Sequence, residues 1–165
     1  MGEDRSALMK VPLDLLLPHL TATHRLANAV APLLQSGDVL TLEGRIGVGK
    51  TTFVRALLET LGCDEEIPSP TFNLLHTYEL KSLTFWHFDL FRIDRLADVF
   101  ELGIEDALES GVCLIEWPKV MTKLIPTEHL AIEFFRQGEH SRNVSLRGYG
   151  KWKHRLSDVE SHLNG

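Results

Sequence analysis

A glycine-rich segment between an apolar strand and an amphipathic helix is the feature that most constrains the fold of this chain. Residues 44–51 read Gly-Arg-Ile-Gly-Val-Gly-Lys-Thr and fit the pattern G-x-x-x-x-G-K-[ST]. Glycines let the backbone turn tightly and point its N–H groups at phosphate oxygens, and the positive end of the following helix faces the same anion. The segment therefore predicts a phosphate-binding loop, the P-loop.

The residues of this loop predict its ligand. Lys50 would reach the β- and γ-phosphates as a point charge, and the Thr51 hydroxyl would ligate Mg²⁺. The predicted nucleotide contacts are Gly44, Arg45, Ile46, Gly47, Val48, Gly49, Lys50, Thr51 and Thr52. The guanine-reading motif N-K-x-D does not occur in the sequence, so ATP is the expected nucleotide. The alternative is a glycine-rich strand–helix turn that binds nothing.

Two carboxylates are candidates for the magnesium site. A P-loop enzyme needs an acid that holds the metal, directly or through water. Asp89 ends the apolar run at 85–88, and Glu116 ends the run at 112–115. Either acid would hold magnesium while the other orients the attacking water. The alternative for each is an ordinary carboxylate at the end of a strand.

Hydrophobic periodicity predicts alternating strands and helices. The predicted helices cover residues 21–34, 51–61, 95–108 and 151–163, with a kink or early stop at Pro32 and a break at Gly103. The predicted strands cover residues 11–17, 39–42, 72–80, 83–90, 112–115, 130–135 and 143–147. The chain is therefore expected to be a single P-loop ATPase domain over residues 1–165. Its α/β fold should have a central, mainly parallel sheet, flanking antiparallel strands and helices on both faces.

Composition excludes several classes of protein. No run approaches the roughly 18 apolar residues of a membrane span, and the first ten residues lack the apolar core of a secretory signal. Cys63 and Cys113 form neither a disulfide framework nor a metal site, and the scattered histidines show no zinc spacing. A cytoplasmic location is expected. The net charge of −6 argues against binding nucleic acid with the whole surface.

Positive charge is concentrated in residues 136–155. This segment contains one acid, Glu139, and six basic residues: Arg136, Arg142, Arg147, Lys151, Lys153 and Arg155. Such an asymmetry is compatible with a local contact to RNA or to an acidic partner. A solvated strand and helix would have the same composition.

Four segments, taken together, resemble the TsaE family, the small bacterial ATPases of tRNA threonylcarbamoyladenosine biosynthesis. They are the P-loop, Ser-Pro-Thr-Phe at 69–72, His-Phe-Asp-Leu-Phe-Arg at 87–92 and Ile-Glu-Trp-Pro at 115–118. The stretch Glu-Leu-Gly-Ile-Glu-Asp at 101–106 also resembles the family pattern. The resemblance runs from about the first helix to the strand pair after Pro126.

The resemblance implies a function. Members of this family fold as P-loop α/β domains, bind ATP and Mg²⁺, and hydrolyse ATP slowly when alone. They dock on a heterodimer of a TsaD-type carbamoyltransferase and its inert TsaB-type paralogue. ATP turnover there supports repeated transfer of threonylcarbamoyl to the adenosine beside the tRNA anticodon. The family does not perform that transfer, and any link to tRNA would be indirect.

The resemblance also implies residue roles. Lys50 and Thr51 would bind phosphate and magnesium, Asp89 would be the acid on the magnesium side, and Glu116 would be a second acid near the γ-phosphate. Thr71 would lie on a nucleotide-sensing loop, and Trp117 near the nucleotide or the partner.

Two positions depart from the family pattern. Phe91 stands where tyrosine is usual, and Arg45 where an acid or amide is common. Arg45 would raise nucleotide affinity or contact the partner.

Structural roles are expected for two residues near Asp89. His87 is expected to be a core histidine rather than a base, and Arg92 to form a surface pair rather than act as an arginine finger.

A small-molecule kinase and a non-catalytic nucleotide-binding module are the alternative functions.

Overall fold

The computed structural model describes residues 12–70 and 72–165. Within this part of the chain the strands are β1 (Leu13–Leu17), β2 (Val39–Glu43), β3 (Leu75–Leu80), β4 (Leu83–Asp89), β5 (Val112–Glu116), β6 (Leu130–Gln137) and β7 (Ser141–Gly148). The α-helices are α1 (Leu20–Val30), α2 (Lys50–Thr60), α3 (Leu96–Glu101), α4 (Ile104–Ser110) and α5 (Trp152–Asn164). Short 3-10 helices cover Ala31–Leu33 and Pro118–Leu124.

The strands form one sheet in the order β1-β7-β6-β2-β5-β4-β3. Neighbouring strands in the central group β6-β2-β5-β4 are parallel. The edge pairs β1–β7, β6–β7 and β3–β4 are antiparallel. This arrangement confirms the predicted α/β fold, with a parallel centre and antiparallel flanks.

Helices cover both faces of the sheet. One apolar cluster joins the sheet to α1, α2 and α5, and it includes Leu26, Phe53 and Trp152. A second cluster joins the opposite face to α3, α4 and the 3-10 helix at Pro118–Leu124. Strands β2 and β5 are apolar along most of their length because both of their faces are buried.

The parallel centre places three acids at one edge of the sheet. Strands β2, β4 and β5 end at Glu43, Asp89 and Glu116, and the register places Asp89 opposite Glu116. Since parallel strands carry their carboxyl ends to the same edge, side chains far apart in sequence meet there.

The predicted breaks at Pro32 and Gly103 are confirmed. Helix α1 stops at Val30 and continues as a 3-10 turn containing Pro32, which has no N–H to donate to a helix. Gly103 has φ +86 between α3 and α4, a conformation that favours glycine.

The predicted start of the strand at residue 72 is wrong. Strand β3 begins at Leu75, because Leu74 has φ +67 and its N–H bonds to the Pro70 carbonyl at 2.6 Å, which closes a turn. Phe72 lies in that turn with 82 % of its surface exposed. Apolar character alone extended the strand prediction into the turn.

Two other predictions extend beyond the described residues. Val11, predicted to start the first strand, lies outside them, and so does part of the proposed single domain, which stays a prediction. None of the helices in the described ranges combines the length and apolar character that crossing a membrane requires.

Candidate functional site

The segment predicted to bind phosphate connects β2 to α2, so its placement between a strand and a helix is as expected. Gly44, Gly47 and Gly49 all have positive φ, at +142, +77 and +122. At Gly44 a Cβ would also lie 2.7 Å from the carbonyl oxygen of Phe134, so the loop packs directly on the backbone of β6. The glycine at position 44 is therefore required both by its dihedral angle and by lack of space.

Lys50 is buried at the start of α2. Its exposed fraction is 4 %, and its Nζ donates to the carbonyls of Gly44 and Arg45, the latter at 3.1 Å. The same ammonium lies 4.0 Å from the ring centroid of Trp117. The ammonium therefore lies inside the loop, against its carbonyl groups and an aromatic face.

The electrostatic environment of Lys50 combines burial with nearby acids. Desolvation lowers the pKa of Lys50 from its ordinary 10.5, while the carboxylates of Glu116, Asp89 and Glu43 act in the opposite direction. A phosphate group in the loop would add negative charge beside this ammonium and favour its charged form.

Thr51 and Glu116 connect the loop to the sheet edge. The Thr51 hydroxyl lies 2.9 Å from Oε2 and 3.2 Å from Oε1 of Glu116. Glu116 is buried, with 3 % of its surface exposed, and its Oε2 lies 2.7 Å from Nε2 of His87. A hydroxyl from the loop and an imidazole from β4 thus hold one buried carboxylate.

Asp89 lies beside Glu116 at the end of β4. The two residues are paired in the register, and Asp89 is 6 % exposed. Its Oδ1 accepts the backbone N–H of Phe91 at 3.0 Å. The structure therefore brings both predicted acids together, although only Glu116 has a direct hydrogen bond to Thr51 among the contacts described.

A cavity of about 430 Å³ opens over these groups. It is lined by Ile46, Gly47, Gly49, Lys50, Thr51, Thr52, Ser69, Asp89, Phe91, Arg92, Glu116 and Trp117. The ring centroids of Phe91 and Trp117 are 4.7 Å apart, and the two rings form an apolar side of the cavity. Three lining residues, Ser69, Phe91 and Arg92, are not among the predicted contacts. Each belongs to a segment that carries the family resemblance, at 69–72 or 87–92, so that resemblance was the signal that could have identified them.

Three of the predicted contacts do not line this cavity, and a fourth is outside the described residues. The Gly44 carbonyl accepts from Lys50, and the buried Val48 side chain belongs to the apolar cluster that includes Phe53. Arg45 lines a second cavity of about 450 Å³, together with Phe135. Thr71 lies outside the described residues.

Two side chains near the cavity behave differently from expectation. His87 is fully buried as expected of a core histidine, but it also contacts Glu116, which the sequence reasoning missed. The signal available was alternation, because His87 and Asp89 are two residues apart on one strand and share a face. The Arg92 guanidinium lies 5.1 Å from the ring centroid of Phe72, a cation–π contact rather than the expected surface pair.

The basic segment at 136–155 does not form one free surface. Arg142 donates from Nε to the Val48 carbonyl at 2.6 Å and so braces the phosphate loop. Arg155 and Lys151 pair with the buried Asp38, at 2.8 Å and 3.6 Å. A contact of this segment with RNA or an acidic partner stays a prediction, with Arg136 and Arg147 among its exposed members.

The donor set suits magnesium and a nucleotide phosphate. A hydroxyl and two carboxylates are hard oxygen ligands of the kind Mg²⁺ prefers. Lys50 and the N-terminus of α2 supply positive charge on the same side of the cavity. The residues present therefore fit an Mg²⁺–nucleotide complex.

Comparison with known proteins places the chain among homologues. The family described as threonylcarbamoyl adenosine biosynthesis protein TsaE matches residues 17–144. The tRNA threonylcarbamoyladenosine biosynthesis protein TsaE of Bacillus subtilis is 35% identical over 129 residues, which cover 78% of this chain and 80% of that protein. The protein of the same name from Treponema pallidum is 36% identical over 125 residues, covering 75% of this chain and 92% of its own length.

The fold agrees with a solved structure. The crystal structure of Bacillus subtilis YdiB superposes with a TM-score of 0.75 and 29% sequence identity, covering 92% of this chain and 95% of that one. Because the family match spans more than half of the sequence and the fold agrees over nearly all of it, this chain belongs to the TsaE family.

Proposed function

We propose that this protein is a magnesium-dependent ATPase that acts as an accessory to threonylcarbamoylation of tRNA. The observation that carries the proposal is the hydrogen bond between Thr51 of the phosphate loop and Glu116 of β5, beside the buried Lys50. A hydroxyl joined to a strand-end acid at the foot of a P-loop is the arrangement that phosphoryl-transfer sites use to hold Mg²⁺.

Each residue of the site has a separate role in the proposed hydrolysis of ATP. Lys50 and the N-terminal N–H groups of α2 bind and orient the phosphates, which places the γ-phosphate near the acids. Thr51 and Glu116 would hold the magnesium ion, which supplies positive charge that stabilises the phosphate oxygens. Asp89 would orient the attacking water. The resemblance alone put Asp89 on the metal side, but the contact between Thr51 and Glu116 favours Glu116 for that role.

ATP is the proposed substrate. The sequence lacks the guanine-reading N-K-x-D motif, and the cavity wall offers the aromatic rings of Phe91 and Trp117. Phe91 replaces the tyrosine usual in the family, so it contributes an apolar surface without a hydroxyl.

Membership of the TsaE family supports the biological role. We infer that the protein acts in the cytoplasm on a TsaD-type transferase bound to its TsaB-type paralogue, and that ATP turnover resets this complex between rounds of transfer. Relatives from several bacteria carry the name tRNA threonylcarbamoyladenosine biosynthesis protein.

The test is nucleotide hydrolysis by the full chain with and without that heterodimer. Phosphate release should require Mg²⁺, should be slow with the protein alone, should rise several-fold with the heterodimer, and should be much weaker with GTP. Lys50→Ala should lose ATP binding, whereas Lys119→Ala, which removes an exposed lysine of the 3-10 helix, should behave as wild type. Glu116→Gln should retain ATP binding in EDTA but lose turnover.

The outcomes separate the alternatives. Equal hydrolysis with and without the heterodimer would remove the partner from the mechanism. Phosphorylation of a small molecule without any partner would instead identify a kinase. ATP binding with no turnover under any condition would leave a non-catalytic nucleotide-binding module.

A further inference from the structure

His87 makes a contact that the proposed mechanism does not use. The imidazole is fully buried, and its Nε2 lies 2.7 Å from Oε2 of Glu116. Among the described residues no group hydrogen-bonds to its Nδ1. The ring therefore has one polar partner there, and that partner is the carboxylate at the centre of the candidate site.

The sheet register explains how this contact arises. His87 pairs with Leu114, and Asp89 pairs with Glu116, so all four side chains lie on one face of β4 and β5. His87 is thus the diagonal neighbour of Glu116. The imidazole spans that diagonal and reaches the carboxylate, and the register between β4 and β5 is continuous from Phe85 to Asp89.

The imidazole and the Thr51 hydroxyl hold Glu116 from two directions. Oε2 receives both groups, at 2.7 Å and 2.9 Å, whereas Oε1 has the longer contact of 3.2 Å with Thr51. A glutamate side chain has three rotatable bonds, and hydrogen bonds to an ionised carboxylate are stronger than neutral ones. Two donors on Oε2 therefore orient the carboxylate and leave Oε1 more accessible to a metal ion.

We propose that His87 is a positioning residue that fixes the Glu116 carboxylate against Thr51 and so sets the affinity of the site for magnesium. This rests on the proposed function, since it assigns Glu116 to the metal. Partners that orient metal-ligating carboxylates typically change metal affinity or activity 10–100-fold when they are removed.

A matched pair of variants separates positioning from space filling. His87→Leu keeps an apolar side chain of similar size but removes the donor. His87→Gln places an amide nitrogen at nearly the position of Nε2 and so retains a donor toward Glu116. His154→Leu removes an exposed histidine on α5 and serves as the control.

The first readout is magnesium dependence of ATP binding, measured by calorimetry without reference to turnover. In His87→Leu, the magnesium concentration at which the change in ATP binding is half-maximal should rise by about 10–100-fold. ATP binding in EDTA should stay unchanged. His87→Gln should restore magnesium dependence to near the wild-type value. Equal magnesium dependence in wild type and His87→Leu would overturn the proposal, as would a failure of His87→Gln to restore it.

The second readout is the position of the carboxylate in crystal structures of the two variants without nucleotide. In His87→Leu, Glu116 should move away from the Thr51 hydroxyl, and in His87→Gln it should stay. If Glu116 does not move in His87→Leu, the positioning role of His87 is refuted. This conclusion does not depend on whether the wild-type protein binds ATP. The opposite combination is also informative. If the wild-type protein neither binds nor hydrolyses ATP but Glu116 is displaced in His87→Leu, the proposed function and its metal are refuted. His87 would then still be the residue that orients Glu116.

Discussion

Two side chains of β5, Cys113 and Glu116, are both buried but differ in their polar contacts. Cys113 is fully buried within an apolar cluster, and burial raises the pKa of its thiol to about 12. Glu116 is 3 % exposed but has hydrogen bonds from Thr51 and His87. Burial in apolar surroundings disfavours the ionised form of a thiol, whereas hydrogen bonds offset the desolvation of a buried carboxylate.

Cys113 is expected to resist thiol reagents in the folded protein. With its pKa at about 12, only roughly one thiol in ten thousand is ionised at pH 8, and the thiolate is the reactive form. In the variant Cys63→Ser, which leaves Cys113 as the sole thiol, maleimide labelling should begin only when urea unfolds the chain. Rapid labelling of that variant in buffer would contradict the assigned burial.

The phosphate loop shows how an element depends on its neighbours. The loop follows β2, but its shape is supported by β6 and β7, which lie about 90 residues later in the sequence. Phe134 of β6 lies within van der Waals contact of Gly44, and Arg142 of β7 donates to the Val48 carbonyl at 2.6 Å. The conformation of the loop therefore depends on contacts with β6 and β7 as well as on its own glycines.

Two glycines of the loop should differ in their tolerance of alanine. At Gly47 a Cβ meets no atom within 4 Å, so Gly47→Ala should cost only the strain of a positive φ, about 1–2 kcal/mol. At Gly44 a Cβ would lie 2.7 Å from a backbone oxygen, so Gly44→Ala should cost about 1–3 kcal/mol more. Urea denaturation of the two variants measures the difference, and equal losses would show that the loop is not packed against β6 as described.

At the scale of the whole molecule, the C-terminal helix is tied to the start of β2. Asp38 precedes β2, its side chain is fully buried, and it accepts from Arg155 at 2.8 Å and from the Gln35 backbone N–H at 2.7 Å. Lys151 lies 3.6 Å from its other oxygen. Part of the basic segment therefore pairs with an acid of the same domain.

Neutralising Asp38 should destabilise the whole domain. Asp38→Asn leaves Arg155, whose side chain is only 12% exposed, without its counter-charge, and breaking a buried pair from one side costs about 3 kcal/mol. Asp158→Asn, at an exposed position of α5, should change the free energy of unfolding by less than about 0.5 kcal/mol. The comparison is made by chemical denaturation, and similar stabilities of the two variants would count against the Asp38 cluster.

Local chemistry made the P-loop, the two acids and the order of elements predictable from sequence. The glycine pattern, the apolar strands ending in Asp89 and Glu116, and the stops at Pro32 and Gly103 depend on backbone geometry and burial within a few residues. The start of β3 was mispredicted because a turn with positive φ at Leu74 outweighed the apolar character of Phe72.

The residue pattern alone predicted the candidate groups of the site: a lysine, a threonine and two acids in a P-loop context. How these groups meet follows from the packing of distant elements. The register of parallel β4 and β5 places His87 within 2.7 Å of Glu116 and α2 presents Thr51 to the same carboxylate, although these residues are separated by 29 and 65 positions. Strand register and helix packing are set by the burial of whole faces, so no local pattern in the sequence encodes the contact between any two of these side chains.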